Sequence, residues 1–172
     1  DQATNFIQQH YKNFSSMSWV YSCGAGANYG TALESALKMG ETIHIPSCCY
    51  EIEEYIHGPN LQLTPQYNVI FFDGNDVASH RVEQVYKATR KVTNRAYLIS
   101  NNPQLSRDGH VLSLSDTVSS ELSPLVYLPF VQLLSFIVSN DLHSIYQHPL
   151  LKEFKAIAAA KTENFVNYDG DD

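Results

Sequence analysis

The chain has 172 residues, of which 44% are hydrophobic and 17% are charged, and its formal net charge is −7. This length suits one well-buried domain and is short for two. The acidic balance argues against a protein that binds nucleic acid, because such proteins concentrate lysine and arginine. The longest apolar stretch, residues 122–138, is interrupted by prolines and polar residues, which favours a buried helix over a membrane span.

The cysteines argue for a reduced, cytoplasmic protein. Cys23, Cys48 and Cys49 are odd in number and two are adjacent, so they form neither a plausible disulfide framework nor a CxxC zinc pair. We expect Cys48 and Cys49 to be packing residues. The N-terminus shows no basic segment followed by an apolar run, so no signal peptide is expected. The histidines lack paired ligand spacing, and we expect no metal site.

The apolar pattern predicts helices and strands in alternation. After a first strand and a glycine loop, Thr31 is expected to be the N-cap of a helix with Glu34 at its third position. The apolar stripe of that helix is expected to include Leu33 and Leu37. The predicted helices are 4–15, 79–92, 123–141 and 147–161, and the predicted strands are 19–23, 68–72, 96–100 and a short edge strand at 111–114. This order predicts one three-layer α/β/α domain with a mostly parallel sheet and a frayed tail.

The loop after the first strand contains Gly24, Gly26 and Gly30, with the spacing GxGxxxG. This differs from the GxGxxG dinucleotide fingerprint. A glycine loop that enters a helix still exposes N–H groups at the positive end of the helix dipole, so Gly24 and Gly26 are candidates for binding an anion such as a sugar phosphate. The alternative is that the glycines only make the turn tight, and the sequence leaves both open.

Titratable residues cluster between residues 34 and 57. Glu34, Lys38 and Glu41 have the spacing i, i+4, i+7 and share one helix face, as in a surface salt-bridge ladder. His57 follows Glu41 by sixteen residues, in a His-Gly-Pro turn. A carboxylate and an imidazole that face one cleft suit proton transfer between neighbouring carbons of a sugar. A structural role for each group is the alternative.

Residues 32–59, ALESALKMGETIHIPSCCYEIEEYIHGP, resemble the second sugar isomerase (SIS) domain of two-domain phosphosugar enzymes. In the isomerase half of glucosamine-6-phosphate synthase the motif ALEGALKxKE precedes the histidine of an HGP turn by the same distance. Residues 57–100 are similar to fructosamine-6-phosphate deglycases. The resemblance covers residues 18–165 and implies a flavodoxin-like SIS domain, the C-terminal copy of two, after a lead-in helix at 1–17 and before a tail at 166–172.

The resemblance also implies roles for individual residues. Glu41 matches the glutamate that moves a proton between C1 and C2. His57 matches the histidine that opens the sugar ring from a neighbouring subunit, which implies a homo-oligomer with its active site at the subunit interface. Lys161 is a weaker catalytic candidate. Lys38 matches a lysine near the substrate, and Glu54 matches a motif glutamate in a supporting role at the substrate.

The implied function is cleavage of a fructosamine 6-phosphate to glucose 6-phosphate and an amine. A glutamate whose pKa is raised by partial burial can do this by acid–base chemistry without a cofactor. Isomerisation or deamination of glucosamine 6-phosphate is an alternative, and so is a non-catalytic regulator that binds a sugar phosphate. The chain departs from the family in lacking an S-x-S-x-x-T phosphate loop, which puts its activity as an isolated domain in doubt.

Overall fold

A parallel sheet forms the centre of the computed structural model, which describes residues 2–114, 118–144 and 157. The five strands are β1 (Val20–Gly24), β2 (Ser47–Glu51), β3 (Asn68–Asp73), β4 (Ala96–Ser100) and β5 (Val111–Ser113). Their order is β2-β1-β3-β4-β5, and all four pairings are parallel. The chain therefore leaves β1 in one direction towards β2 and then returns past it to β3, which places a switch in strand order beside β1.

Helices cover both faces of this sheet. They are α1 (Gln2–Gln9), α2 (Tyr11–Ser15), α3 (Asn28–Ile43), α4 (Ile52–Ile56), α5 (Ser79–Thr89) and α6 (Ser123–Asp141), with 3-10 turns at Pro59–Gln62, Pro103–Leu105 and Ser120–Leu122. The α/β fold class predicted from the sequence is confirmed. The strand at 96–100 and the helix at 123–141 have the predicted bounds.

Several predicted elements need correction. The first helix is broken at His10, whose ring Nε2 donates to the carbonyl of Gly109 at 2.7 Å. Thr31 is not an N-cap, because α3 begins at Asn28 and Thr31 is buried inside the helix, where its hydroxyl donates to the Asn28 side chain. β2 and α4 were not predicted. The helix predicted at 147–161 and the tail lie outside the described residues.

The core has two halves, one on each face of the sheet. Because side chains alternate along a strand, Val69 and Phe71 of β3 point to one face while Ile70 and Phe72 point to the other. The face of Ile70 packs against α1, α3 and α6, and the face of Val69 packs against α4 and α5. The helices before and after β2 therefore lie on opposite faces of the sheet.

The last described helix is unusually apolar. The helical segment Ser120–Asp141 is long and apolar enough to cross a membrane by length and composition alone, with a mean hydropathy of 1.7, and 44% of its most apolar window is buried in the structure. Its inner side contributes Tyr127, Phe130 and Leu134 to the core. This agrees with the predicted helix that covers the sheet. The outer side of the helix carries the exposed residues Leu125 and Phe136.

Candidate active site at the edge of the sheet

An open groove of about 520 Å3 runs between α3 and β2, at the edge of the described sheet. Small residues on α3 allow the two elements to approach closely, since a Cβ at Gly40 would lie 3.2 Å from Ser47 Oγ. The Ser47 hydroxyl donates to the carbonyl of Ala36 at 2.5 Å and so links β2 to α3 at the base of the groove. The groove is lined by Tyr29, Leu33, Ala36, Leu37, Gly40, Glu41, Ser47 and Cys49.

Leu33 and Leu37 are exposed, so the prediction that they belong to the buried stripe of α3 is wrong. The buried stripe instead contains Ala32, Ala36 and Met39. Because β2 is an edge strand, no further strand of the described sheet covers the leucines on that side. The groove therefore combines an apolar wall with an acidic group at its end.

Glu41 lines this groove and is held by Lys38. The Lys38 ammonium donates to Glu41 Oε2 at 2.8 Å and lies 3.5 Å from Glu34 Oε1. The hydrogen bond to Glu41 raises the pKa of Lys38, so the lysine stays charged. The salt-bridge ladder that the spacing predicted is present, and its last carboxylate faces the groove. The Glu41 side chain is 50% exposed, whereas the sequence analysis expected it to be partly buried.

His57 lies at the C-terminal end of α4, on the other face of the sheet. Its Nδ1 donates to the carbonyl of Glu53 at 2.6 Å, since a carbonyl only accepts, and this leaves Nε2 as the nitrogen that can exchange a proton. Because α3 precedes β2 on one face and α4 follows it on the other, Glu41 and His57 of one chain do not face a common cleft. A site that contains both groups requires two copies of the chain.

The glycine loop is explained by packing. A Cβ at Gly24 would lie 2.3 Å from the carbonyl oxygen of Asn28, and Gly26 has a φ of +54°, which favours glycine. Asp76 Oδ2 lies 3.2 Å from the position of a Gly26 Cβ. A carboxylate beside the loop repels an anion, and this weakens the predicted phosphate-binding role of Gly24 and Gly26.

Two further predicted site residues have different outcomes. Glu54 caps α4: its carboxylate accepts from the backbone N–H of Glu51 at 3.4 Å, and the Glu51 carboxylate accepts from the N–H of Glu53 at 2.6 Å. Lys161 lies outside the described residues. Ser144, the last residue described before residue 157, contacts the C-terminal turn of α3, because its hydroxyl donates to the carbonyl of Thr42 at 2.6 Å.

Tyr29, Ser47 and Cys49 line the groove but were not predicted as site residues. The charge of a Cys49 thiolate is the main cause that raises the pKa of Tyr29, so Tyr29 stays a neutral phenol in the usual pH range. Cys49 is partly buried in the groove and Cys48 is exposed, so the prediction that both are packing residues is wrong for Cys48. A larger groove of about 660 Å3 between α4 and α5 contains none of the predicted site residues.

Comparison with known proteins finds relatives that match most of this chain. No protein-family model matches the sequence. The chain is 30% identical over 131 residues to glutamine–fructose-6-phosphate aminotransferase [isomerizing] of Methanothermobacter thermautotrophicus, and 28% identical over 125 residues to that of Xylella fastidiosa. These matches cover 74% and 72% of this chain but only 22% and 20% of the relatives, so the chain spans about a fifth of their length.

Solved structures show the same architecture. A proposed phosphosugar isomerase of Clostridium difficile 630 matches with a TM-score of 0.80 at 20% identity, over 95% of this chain and 45% of that one. The C-terminal domain of glucosamine-fructose-6-phosphate aminotransferase of Francisella tularensis matches with a TM-score of 0.70 at 24% identity, over 80% and 39%. A proposed sugar-phosphate isomerase of Listeria monocytogenes matches with a TM-score of 0.65 at 10% identity, over 90% and 83%. The fold is that of SIS-type phosphosugar isomerase domains.

Proposed function

We propose that this chain is a sugar-phosphate-binding enzyme domain in which Glu41 moves a proton between C1 and C2 of the substrate. The observation that carries the proposal is the position of Glu41: its carboxylate lines an open groove and is oriented by Lys38 at 2.8 Å, on a fold shared with phosphosugar isomerases. The isomerising aminotransferases that resemble the sequence support the same class of substrate. We place the protein in the cytoplasm as a soluble homo-oligomer.

Glu41 serves as the base because it is accessible and charge-paired. A half-exposed carboxylate at the groove can reach a bound sugar, and the ion pair with Lys38 holds the carboxylate in position. Glu34 shares Lys38 but does not line the groove. The proton that Glu41 removes from C1 is returned to C2 by the same group, so the transfer between the two carbons needs no second carboxylate.

His57 opens the sugar ring from a second copy of the chain. With Nδ1 committed to the carbonyl of Glu53, Nε2 is free to exchange a proton with the ring oxygen or the anomeric hydroxyl. The two groups lie on opposite faces of the sheet of one chain, so the proposal places the α4 end of one copy against the α3–β2 groove of another. Such a contact also covers the exposed Leu33 and Leu37.

In its finer form the proposal is a deglycase. The substrate is a fructosamine 6-phosphate, with an amine on C1 and a carbonyl at C2. Glu41 removes a proton from C1 while the C2 carbonyl oxygen takes a proton from the ammonium form of the C1 amine, which gives a neutral enaminol. Return of the C1 proton to C2 gives an iminium at C1. Water then adds to C1 and the amine leaves with a proton, so the products are glucose 6-phosphate and free amine. No electrons are gained or lost overall, and no cofactor is required.

Two alternatives use the same groove. Aldose–ketose isomerisation, or deamination of glucosamine 6-phosphate, needs the same C1–C2 proton transfer. The similarity to isomerising aminotransferases favours isomerisation. A regulator that only binds a sugar phosphate needs no base at the groove, so the charge-paired Glu41 argues against it.

The test is release of glucose 6-phosphate from fructoselysine 6-phosphate, and of fructose 6-phosphate from glucosamine 6-phosphate, in coupled assays. Glu41→Gln should lower turnover of the true substrate by about 10²–10⁴-fold, the usual contribution of a general base. Glu34→Gln is the matched control on the same helix and should change turnover by less than about tenfold. Equal activity of Glu41→Gln and wild type would refute the proposal, and tight sugar-phosphate binding without turnover would establish the regulator.

A further inference from the structure

The outer face of α6 is an apolar stripe that the proposed active site does not use. Leu125 and Phe136 are 69% and 64% exposed, and Leu122 just before the helix is also exposed. With Pro129 and Gln132 they recur every three or four residues, so they lie along one side of the helix. The opposite side carries the core residues. No charged residue occurs from Ser123 to Asn140, and an exposed helix face of a soluble protein normally carries charges.

This stripe is separate from the candidate active site. The helix α6 runs alongside α3 in the same direction, because Asn28 Nδ2 donates to Ser123 Oγ at 2.7 Å at one end and Ser144 Oγ donates to the carbonyl of Thr42 at the other. The groove of Glu41 lies on the side of α3 that faces β2. A partner that covers the groove therefore leaves the α6 stripe uncovered.

We infer that the outer face of α6 is a second self-association surface, which packs against the same face of another copy of this chain. Nineteen residues of helix span about 28 Å. A strip of that length and about 20 Å wide removes roughly 600 Å2 from each copy, near the lower end of stable interfaces. The apolar stripe forms the interface core.

Charge favours a second copy as the occupant. Two identical chains with a net charge of −7 repel each other through most of their surface, whereas the α6 stripe carries no charge to repel its own copy. A two-fold contact requires a patch that is compatible with itself. Gln132, near the middle of the helix, supplies both a donor and an acceptor, so it can bond to its symmetry mate across the axis.

The same residues argue against a lipid surface. Helices that lie on membranes usually carry lysine or arginine beside the apolar face. The residues that flank this stripe are Glu121 and Asp141, which repel an anionic headgroup. Asp141 already accepts a hydrogen bond from the Tyr11 hydroxyl at 2.6 Å. A lipid vesicle is therefore the competing occupant that the experiment must exclude.

The first experiment measures molar mass by light scattering at micromolar protein concentration. Leu125→Glu and Phe136→Glu should each halve the mass of the assembly, because each buries a charge at the contact. Val92→Glu is the matched control, since Val92 is exposed just after α5, which packs on the opposite face of the sheet, and it should leave the mass unchanged. Circular dichroism should show the same fold in all variants.

The outcome also separates this surface from the groove contact. If both contacts form, wild type is a tetramer and the α6 variants are dimers. If only the α6 contact forms, wild type is a dimer and the variants are monomers, which supports this inference while the proposed shared active site fails. A monomeric wild type, or a mass that the α6 variants do not change, overturns the inference.

A cross-linking measurement covers the case in which the glutamate variants fail to fold. Gln132→Cys, in a Cys48→Ser background that removes the exposed native thiol, should form a disulfide-linked dimer under mild oxidation. Val92→Cys in the same background should do so much more slowly. Equal rates, or sedimentation of wild type with phosphatidylcholine–phosphatidylglycerol vesicles in place of self-association, contradict a contact between copies.

Discussion

Tyr127→Phe removes one buried hydrogen bond between α6 and the sheet while keeping the aromatic ring. The Tyr127 hydroxyl donates to the carbonyl of Asp73 at 2.7 Å, and the side chain is fully buried. Burial raises the pKa of Tyr127, so the phenol is a neutral donor throughout the usual pH range. This bond ties the N-terminal half of α6 to the end of β3, next to the switch in strand order.

The expected loss follows from the buried acceptor. A protein hydrogen bond contributes about 1 kcal/mol net, and a buried carbonyl left without a donor costs about 1–3 kcal/mol. We therefore expect Tyr127→Phe to lower the free energy of unfolding by about 2 kcal/mol. In a domain of this size each kcal/mol lowers Tm by about 2–4 °C, so Tm should fall by about 4–8 °C.

The assay is urea unfolding followed by circular dichroism, with Tyr11→Phe as the matched control. The Tyr11 hydroxyl donates to Asp141 at 2.6 Å but lies at the surface, where water replaces the lost partner. Its loss should cost about 0.5 kcal/mol or less. Equal losses in the two variants would refute the argument that burial of the acceptor sets the cost.

Three further predictions concern stability. Gly24→Ala should unfold the domain or lower Tm steeply, because the new Cβ would lie 2.3 Å from a backbone oxygen at the start of α3. The Cβ of Gly30→Ala meets nothing within 4 Å, so this variant should stabilise α3 by about 0.5–1 kcal/mol in urea unfolding. Arg81 lowers the pKa of Glu53 through their hydrogen bond. The stabilisation from this ion pair is present above the unfolded-state pKa of Glu53 and is lost as the pH falls through the lower folded-state pKa. The difference in Tm between wild type and Arg81→Ala should therefore shrink below about pH 4. Burial, reinforced by nearby positive charge, lowers the pKa of His110, so protonation favours the unfolded chain. Tm should therefore fall as the pH drops below about 6.5, by more in wild type than in His110→Phe.

The fold was predictable where the sequence pattern is continuous. β4 and α6 have the predicted bounds because each is an apolar run with polar breaks at its ends. β2 was missed because Ser-Cys-Cys-Tyr-Glu does not alternate, and an edge strand needs no buried face on both sides. The start of α3 was mispredicted because tertiary hydrogen bonds outweigh the capping pattern: Asn28 bonds to Ser123, and the N-cap is Ala27, four residues before the predicted Thr31.

The candidate site was predictable only in its local part. The spacing of Lys38 and Glu41 on one helix is enough to predict their contact, and the structure has it at 2.8 Å. The position of His57 depends on β2, which separates the helices before and after it onto opposite faces. Without that strand, nearness in sequence suggested nearness in space. The acidic neighbour of the glycine loop, Asp76, comes from another strand end and has no signal in the loop itself.

The central claim is that Glu41 of one copy and His57 of another form one active site. Glu41→Gln and His57→Ala should each abolish most turnover when pure. If the site is shared, unfolding and refolding an equal mixture creates mixed pairs in which one of two sites carries both native groups. The mixture should then recover about a quarter of wild-type activity under random pairing. A mixture as inactive as the separate variants would contradict the shared site.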